Sequence, residues 1–235
     1  MRVSLSSWRT GVSIRFVILC LLVAAVAGPT TGSAATTDDH FDAIVLALEA
    51  DGPGGVIRAD PALVADIEAD LASIRTQQPD LADIHVLPTW VPGRIAVKLT
   101  PAAYAAVEAG TYTGFDALFA LYPPDEMTTW PEAQWVTIGF VEPLHSGNLA
   151  GLFAELDDVL IAEADGIGGD GDDIIRHDAS WYTFKHGWGD CPAGCILNHY
   201  WDVHLQGDTA VVEDEWGDTV QTTSSTWSRL KASYR

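Results

Sequence analysis

The chain has 235 residues, with 33 Asp and Glu against 12 Lys and Arg, for a formal net charge of −21. So acidic a surface repels nucleic acid and anionic membranes, which excludes both as partners. Solubility in a salty or extracellular setting accounts for it, with cation binding as the sharper alternative.

Arg2, Arg9 and Arg15 form a basic lead into Phe16–Gly28, an uncharged apolar run. At about thirteen residues it falls short of the roughly twenty needed to span a bilayer. Ser33-Ala34-Ala35 offers the small residues a signal peptidase requires. Residues 1–35 are therefore read as a signal peptide, cleaved after Ala35, with Ala27 as the alternative site and an uncleaved anchor as the rival reading. Cys20 follows Leu19, so a lipoprotein signal is not formed. Removing 35 residues from 235 leaves 200, enough for one large domain or two small ones. Three of the 12 cations leave with the leader and all 33 acids stay, so the mature charge is 9 − 33, or −24. The expected location is secreted or within the cell envelope or periplasm of a bacterium, without membrane attachment after cleavage.

Residues 36–90 read as a helical lead-in. FDAIVLALEA is apolar and breaks at DGPGG, and PALVADIEADLASIRTQQP carries Leu63, Val64, Ile67, Leu71 and Ile74 at helical spacing. Asp60 before Pro61 is a cap followed by a first-turn proline. ADIHVLPTW predicts a short strand. From residue 91 the elements alternate. WVPGRIAVKL is a strand with Ile95, Val97 and Leu99 on one face, PAAYAAVEAG a helix and GFDALFALYPP a further helical piece. EMTTW is a weak strand, EAQWVTIGFVEP a strand, GNLAGLFAELDD a helix and DVLIAEADG a final strand. The fold class is α+β, and residues 91–167 have the split β-α-β order of a ferredoxin-like antiparallel sheet with helices on one face.

Two stretches within that order resemble the propeptide domains of secreted subtilisin-like proteases. VPGRIAVKLT, residues 91–100, is similar to the opening in which proline and glycine precede an aliphatic strand ending in lysine. DDVLIAEADGIGGDG, residues 157–171, is similar to the closing strand, with Val159, Ala162 and Glu163 in its V-x-x-A-E positions. The resemblance implies a domain that chaperones or inhibits a protease by laying a sheet face and a C-terminal tail on it. The chain departs from the family in having no catalytic domain after it: there is no His-Gly-Thr or Gly-Thr-Ser-Met-Ala segment, and His186-Gly187 continues with Trp188.

Residues 168–179 read as an acidic linker. GGDGDDIIR fits one copy of the nine-residue calcium repeat through Gly168, Gly169, Gly171, Asp173 and Ile175. Such repeats build their cage by stacking, which a solitary copy cannot do. Asp170, Asp172 and Asp173 are the calcium candidates. Residues 180–220 then switch to period two: SWYTFKHGW, LNHYWDVHL and TAVVEDEWGD predict a three-stranded β-meander, followed by a tail at 221–235. LNHYWDVHL places His199, Trp201, Val203 and Leu205 on one face and Asn198, Tyr200, Asp202 and His204 on the other.

Cys191 and Cys195 are the two cysteines left after export, and a pair this close in an oxidising compartment is expected to form a disulfide. Pro192 and Gly194 bend the connection, Gly187 and Gly189 are expected to admit Trp188 to the core, and the disulfide to staple a module with little core of its own. A competing reading takes His186, Cys191, Cys195 and His199 as H-x4-C-x3-C-x3-H zinc ligands. A catalytic thiolate is opposed by the surrounding acids, which raise a thiol pKa. Gly187–Cys195 with His199 and Trp201 also resembles a GWGDCPAGC signature of uncharacterised exported bacterial proteins, which implies no reaction. His145-Ser146 near Asp157 and Asp158 lacks a nucleophile-elbow pattern.

The expectation is a non-catalytic, protein-binding protein, with restraint of a secreted protease as its specific form and Tyr200, Asp202 and His204 as a candidate binding face. The competing class is a zinc-dependent enzyme or metal-binding protein using His186, His199, His204 and Asp202.

Overall fold

A computed structural model describes residues 37–50, 52 and 54–219. The predicted signal peptide and the predicted tail from residue 221 lie outside the described residues. Within them are two four-stranded antiparallel sheets, each packed with helices.

Helix α1 (Thr37–Glu49) and helix α2 (Pro61–Gln77) come first. Asp60 caps α2 by accepting from the Ala62 amide at 2.9 Å, and Pro61 takes a first-turn position where no amide is needed. Val64, Ile67, Leu71 and Ile74 form its buried stripe. Residues 84–88, expected as a strand, are irregular. Ile84 and Val86 still reach the core, so their burial is met without a ladder.

The first sheet contains β1 (Trp90–Leu99), β2 (Pro124–Trp130), β3 (Trp135–Phe140) and β4 (Val159–Gly166), in the order β2-β3-β1-β4. Helices α3 (Pro101–Glu108), α4 (Asp116–Leu121) and α5 (Ser146–Ala154) connect them. Ile95, Val97 and Leu99 alternate into a core with Val136, Ile138, Leu149 and Phe153, as period-two patterning requires. Phe115, Phe119, Phe140 and Phe153 pack there with ring centroids 5.2–6.4 Å apart.

The second sheet corrects the sequence reading. It has four strands rather than three: β5 (Asp173–Arg176), β6 (Trp181–Trp188), β7 (Leu197–Gln206) and β8 (Thr209–Gly217), paired in chain order. The extra strand comes from the stretch read as linker, where Asp173–Arg176 pairs with Tyr182–Lys185. Four residues with one buried side chain, Ile174, suffice for an edge strand.

A second correction concerns the core beneath this sheet. α1 and α2 supply it: Ala43, Val45, Ile67, Leu71 and Ile74 form one cluster with Ile174, Tyr182, Phe184 and Val203. Each large side chain so buried contributes about 1.5–3 kcal/mol. Tyr182 also donates its hydroxyl to Asp70 on α2 at 2.6 Å, and burial together with that carboxylate pushes the phenol pKa up. The C-terminal strands therefore rest on a substantial core, and the disulfide is not a substitute for one.

A buried charge network holds α1 and α2 to residues 84–86. The Arg75 guanidinium donates to Asp39, to Asp42 Oδ2 at 2.7 Å and to the Ile84 carbonyl at 2.6 Å. Asp42 also accepts from the Val86 amide at 3.0 Å and lies 2.8 Å from His85 Nδ1.

Candidate functional site

Each sheet has one face covered by helices and one uncovered. Strand register assigns the uncovered face of the second sheet to Ile175, Thr183, Asp202 and Asp214 in one row. Lys185, Tyr200 and Trp216 form the next row, and Trp181, His204 and Val211 the one on the other side. Trp181 lies between His177 and His204, with centroids at 4.1 and 5.3 Å and interplanar angles of 28° and 20°. Tyr200 and Trp216 are nearly parallel at 5.2 Å. At the centre Thr183 donates to Asp202 Oδ1 at 2.5 Å and stands 2.8 Å from His177 Nε2. Its hydroxyl holds the imidazole and the carboxylate at a fixed spacing. The result is a flat array of rings around carboxylates. Tyr200, Asp202 and His204 lie together on it, as sequence alternation grouped them; the candidate binding face drawn from the sequence did not include Trp181, Thr183, Trp216 or His177.

The proposed metal ligands are divided between two faces. His186 and His199 are cross-strand partners on the side toward the helices, while Asp202 and His204 project from the other. His186 Nδ1 lies 2.7 Å from Asp172, and its ring stacks on Trp188. His199 Nε2 lies 2.9 Å from Glu215 Oε1, and its Nδ1 2.6 Å from the Asp218 carbonyl. Cys191 and Cys195 are joined in a disulfide, so neither sulfur is a thiolate. Among the described residues no group of three or more His, Cys, Asp or Glu is placed to hold a metal ion.

The three calcium candidates turn to three different partners. Asp170 pairs with Lys185 and accepts from the Gly171 and Cys195 amides at 2.8 and 3.2 Å. The Lys185 hydrogen bond leads in holding its pKa below the ordinary range. Asp172 takes His186 and the Gly187 amide, the latter at 3.0 Å. Asp173 accepts from the Ile174 amide at 2.9 Å, and burial pushes its carboxyl pKa up.

These contacts fasten residues 168–172 to the disulfide turn, where the Asp170 amide also donates to the Cys191 carbonyl at 2.9 Å. A Cβ on Gly187 would stand 2.6 Å from both Cys195 Sγ and the Gly171 carbonyl oxygen. The glycine therefore admits the disulfide and the neighbouring backbone; the expectation that it serves Trp188 misplaced its role. His145 and Ser146 are also accounted for locally. His145 stacks on Trp90 at 4.7 Å and caps α5 by accepting from the Asn148 amide, and burial lowers its pKa. Ser146 donates to the Val91 carbonyl at 2.5 Å.

The uncovered face of the first sheet is more apolar. One row across it reads Trp130, Trp135, Lys98 and Ile161, and the next Thr128, Thr137, Ala96 and Glu163. Trp130 is 51 % exposed and Ile161 46 %, although Trp130 Nε1 does donate to Thr137 at 3.1 Å. Arg94 pairs with Asp165 at 2.9 Å along one margin. Trp130 falls in the stretch read as a weak strand, and nothing in that reading marked it as a surface residue.

No protein-family model, curated protein or solved structure matches the chain.

Proposed function

We propose that the protein is exported, non-catalytic and works by binding another protein, with a secreted subtilisin-like protease as the partner class. The observation that carries this reading is the Trp130–Trp135–Lys98–Ile161 row on the uncovered face of the first sheet. Exposed aromatic and aliphatic side chains beside a polar margin have the make-up of an interface core. The β2-β3-β1-β4 order with its connecting helices supports the finer assignment of this layer as ferredoxin-like, the class to which protease propeptides belong. The basic, apolar N-terminal stretch supports export. Among the described residues no helix is long and apolar enough to cross a membrane.

The propeptide resemblance also implies a free tail after the closing strand. Here that stretch is engaged: the Ile167 amide donates to the Thr89 carbonyl at 3.0 Å, and Asp170 is fastened as described. Binding by the sheet face fits these contacts better than insertion of residues 167–172 into an active site.

The test is titration of the exported protein against secreted subtilisin-like proteases, reading complex formation and peptide hydrolysis. Saturable binding is expected, and Ile161→Glu should weaken it at least tenfold, about 1.4 kcal/mol. Absence of both binding and inhibition across such proteases overturns the protease assignment. Stoichiometric zinc with two free thiols in the native protein overturns the non-catalytic reading in favour of the metal-dependent one.

A further inference from the structure

Away from both sheet faces, a recess of about 400 Å³ lies between α1, the start of α2 and Glu142-Pro143 after β3. Ile44 and Val64 wall it, both from the helical side of the second core. Further along α2, Ile67 and Leu71 are fully buried. At this end the facing positions are Ala59, Pro61, Ala65 and Pro143, which are too short or too rigid to reach across the gap. Hydrocarbon walls are thereby left against water, which an apolar ligand would release. Both the volume and the make-up, apolar walls with few polar groups, are those of small-molecule pockets, which run from roughly 300 to 1,000 Å³.

The charged groups of the lining decide what head group such a ligand carries. Arg58 donates to Glu142 and to the Leu121 carbonyl, each at 2.6 Å, and its guanidinium carbon lies 4.7 Å from the centre of the Tyr122 ring. The one permanent cation of the lining is therefore committed, and Glu142 with it. The first turn of α2 is likewise capped by Asp60. Glu68 differs: among the described residues its ion-pair partner is His40, with Nδ1 at 3.3 Å and a side chain 57 % exposed. An imidazole is not a permanent cation, so the Glu68 carboxylate, itself only 28 % exposed, lacks a permanent counter-charge. Beside an apolar wall it attracts an ammonium more strongly than a carboxylate in bulk water does. An anionic ligand would meet Glu68 and Glu142 with no uncommitted cation to hold it.

We propose that this recess binds a small apolar amine, with its hydrocarbon body against Ile44, Val64 and Pro143 and its ammonium donating to Glu68. The site lies apart from the first-sheet row on which the protease reading rests, so the two stand or fall separately.

The experiment is calorimetric titration of the exported protein with tryptamine, tryptophol and indoleacetate, which share a ring system and differ in head group. Tryptamine is expected to bind saturably at one site, with millimolar affinity or better. Tryptophol should bind about tenfold more weakly, the worth of a hydrogen bond to a charged acceptor, and indoleacetate not measurably. Glu68→Gln should bring tryptamine down to the tryptophol affinity and leave tryptophol unchanged. Ala65→Trp and Pro143→Trp, at exposed positions on opposite walls, should each fill the recess and abolish binding of both. Circular dichroism checks the fold of each, and if one is perturbed the other decides. Absence of saturable tryptamine binding, equal tryptamine affinity in the parent and Glu68→Gln, or strongest binding by indoleacetate overturns the proposal. Tryptamine binding that survives in a folded Trp variant also overturns it, since the site would then lie elsewhere.

Discussion

The two helix-covered cores are built from the chain in different ways. The core under the first sheet draws on residues 95–162, with Ile57 packed against it from the stretch between α1 and α2. The core under the second sheet needs residues 43–86 and residues 174–212 together, so that the first sheet is an excursion between its two halves. Only a few polar contacts seen here bridge the two parts, among them His145 N to Ile57 O at 2.9 Å, Asn148 Nδ2 to Val56 O at 2.9 Å and Arg58 to Glu142 at 2.6 Å. A contiguous core assembles through shorter loops, whereas the split one must close a long loop first. The difference teaches that a module's boundary in sequence need not be the boundary of its core.

The largest expected effect tests that independence. Phe184→Ala and Phe153→Ala each empty a fully buried ring site, and each should cost about 3–5 kcal/mol. In Phe184→Ala, native-state hydrogen exchange should show α1, α2 and β5–β8 losing protection while β1–β4 keep theirs. Phe153→Ala should show the reverse. A single unfolding event with uniform loss in both variants would break the comparison.

Next comes the buried charge network of the split core. Arg75→Ala leaves the Asp42 carboxylate, whose side chain is 1 % exposed, without its guanidinium. Removing one member of a buried pair costs roughly 3–5 kcal/mol, to be read from urea denaturation. A loss of less than about 1 kcal/mol would show that His85 and the Val86 amide suffice for it.

The disulfide ranks below both. Closing so short a loop as Cys191–Cys195 is worth about 2 kcal/mol by chain entropy. Reduction, or a Cys191→Ser, Cys195→Ser double variant, should therefore leave the second sheet folded at room temperature, with a lower denaturation midpoint. Collapse of β6–β8 on reduction would restore the staple to the role first expected of it.

Much of the first sheet could be read from sequence, because Ile95, Val97 and Leu99 alternate cleanly and Asp60-Pro61 and Thr100-Pro101 announce helices. Each of those signals is local. The joining of α1 and α2 to β6–β8 is not local: Ile67 and Phe184 meet across more than a hundred residues, and both look like ordinary core residues where they stand. Asp173–Arg176 was hidden by its glycine and aspartate neighbours, which resemble a linker until Lys185 and the disulfide turn fasten them. Parity was legible and decisive, since His199 against Asp202 and His204 already divides the metal candidates between two faces. The ring array was only half visible, because alternation shows which residues share a strand face but not which strands become neighbours.

The smallest effect distinguishes two acids of that fastened stretch, Asp170 and Asp173. Burial raises the Asp173 pKa above the ordinary value near 3.8, with Lys185 opposing and Asp170 adding to the rise. The folded state then holds this proton more tightly than the unfolded chain does. Its stabilising share is complete below that value and is lost as the pH climbs through the raised one. Asp170 has the opposite sign: Lys185 first, then the Gly171 amide, depress its pKa. Its contribution is present above the ordinary value and is lost as the pH falls through the depressed one. At pH 7, Asp173→Asn should therefore raise the melting temperature slightly, since an amide oxygen can still accept from the Ile174 amide. Asp170→Asn should lower it, and both differences should shrink toward pH 3. Melting curves across that range decide the matter. A shift of the same sign at pH 7 in both variants would mean that these two carboxylates share one environment, and that the stretch is a solvated linker after all.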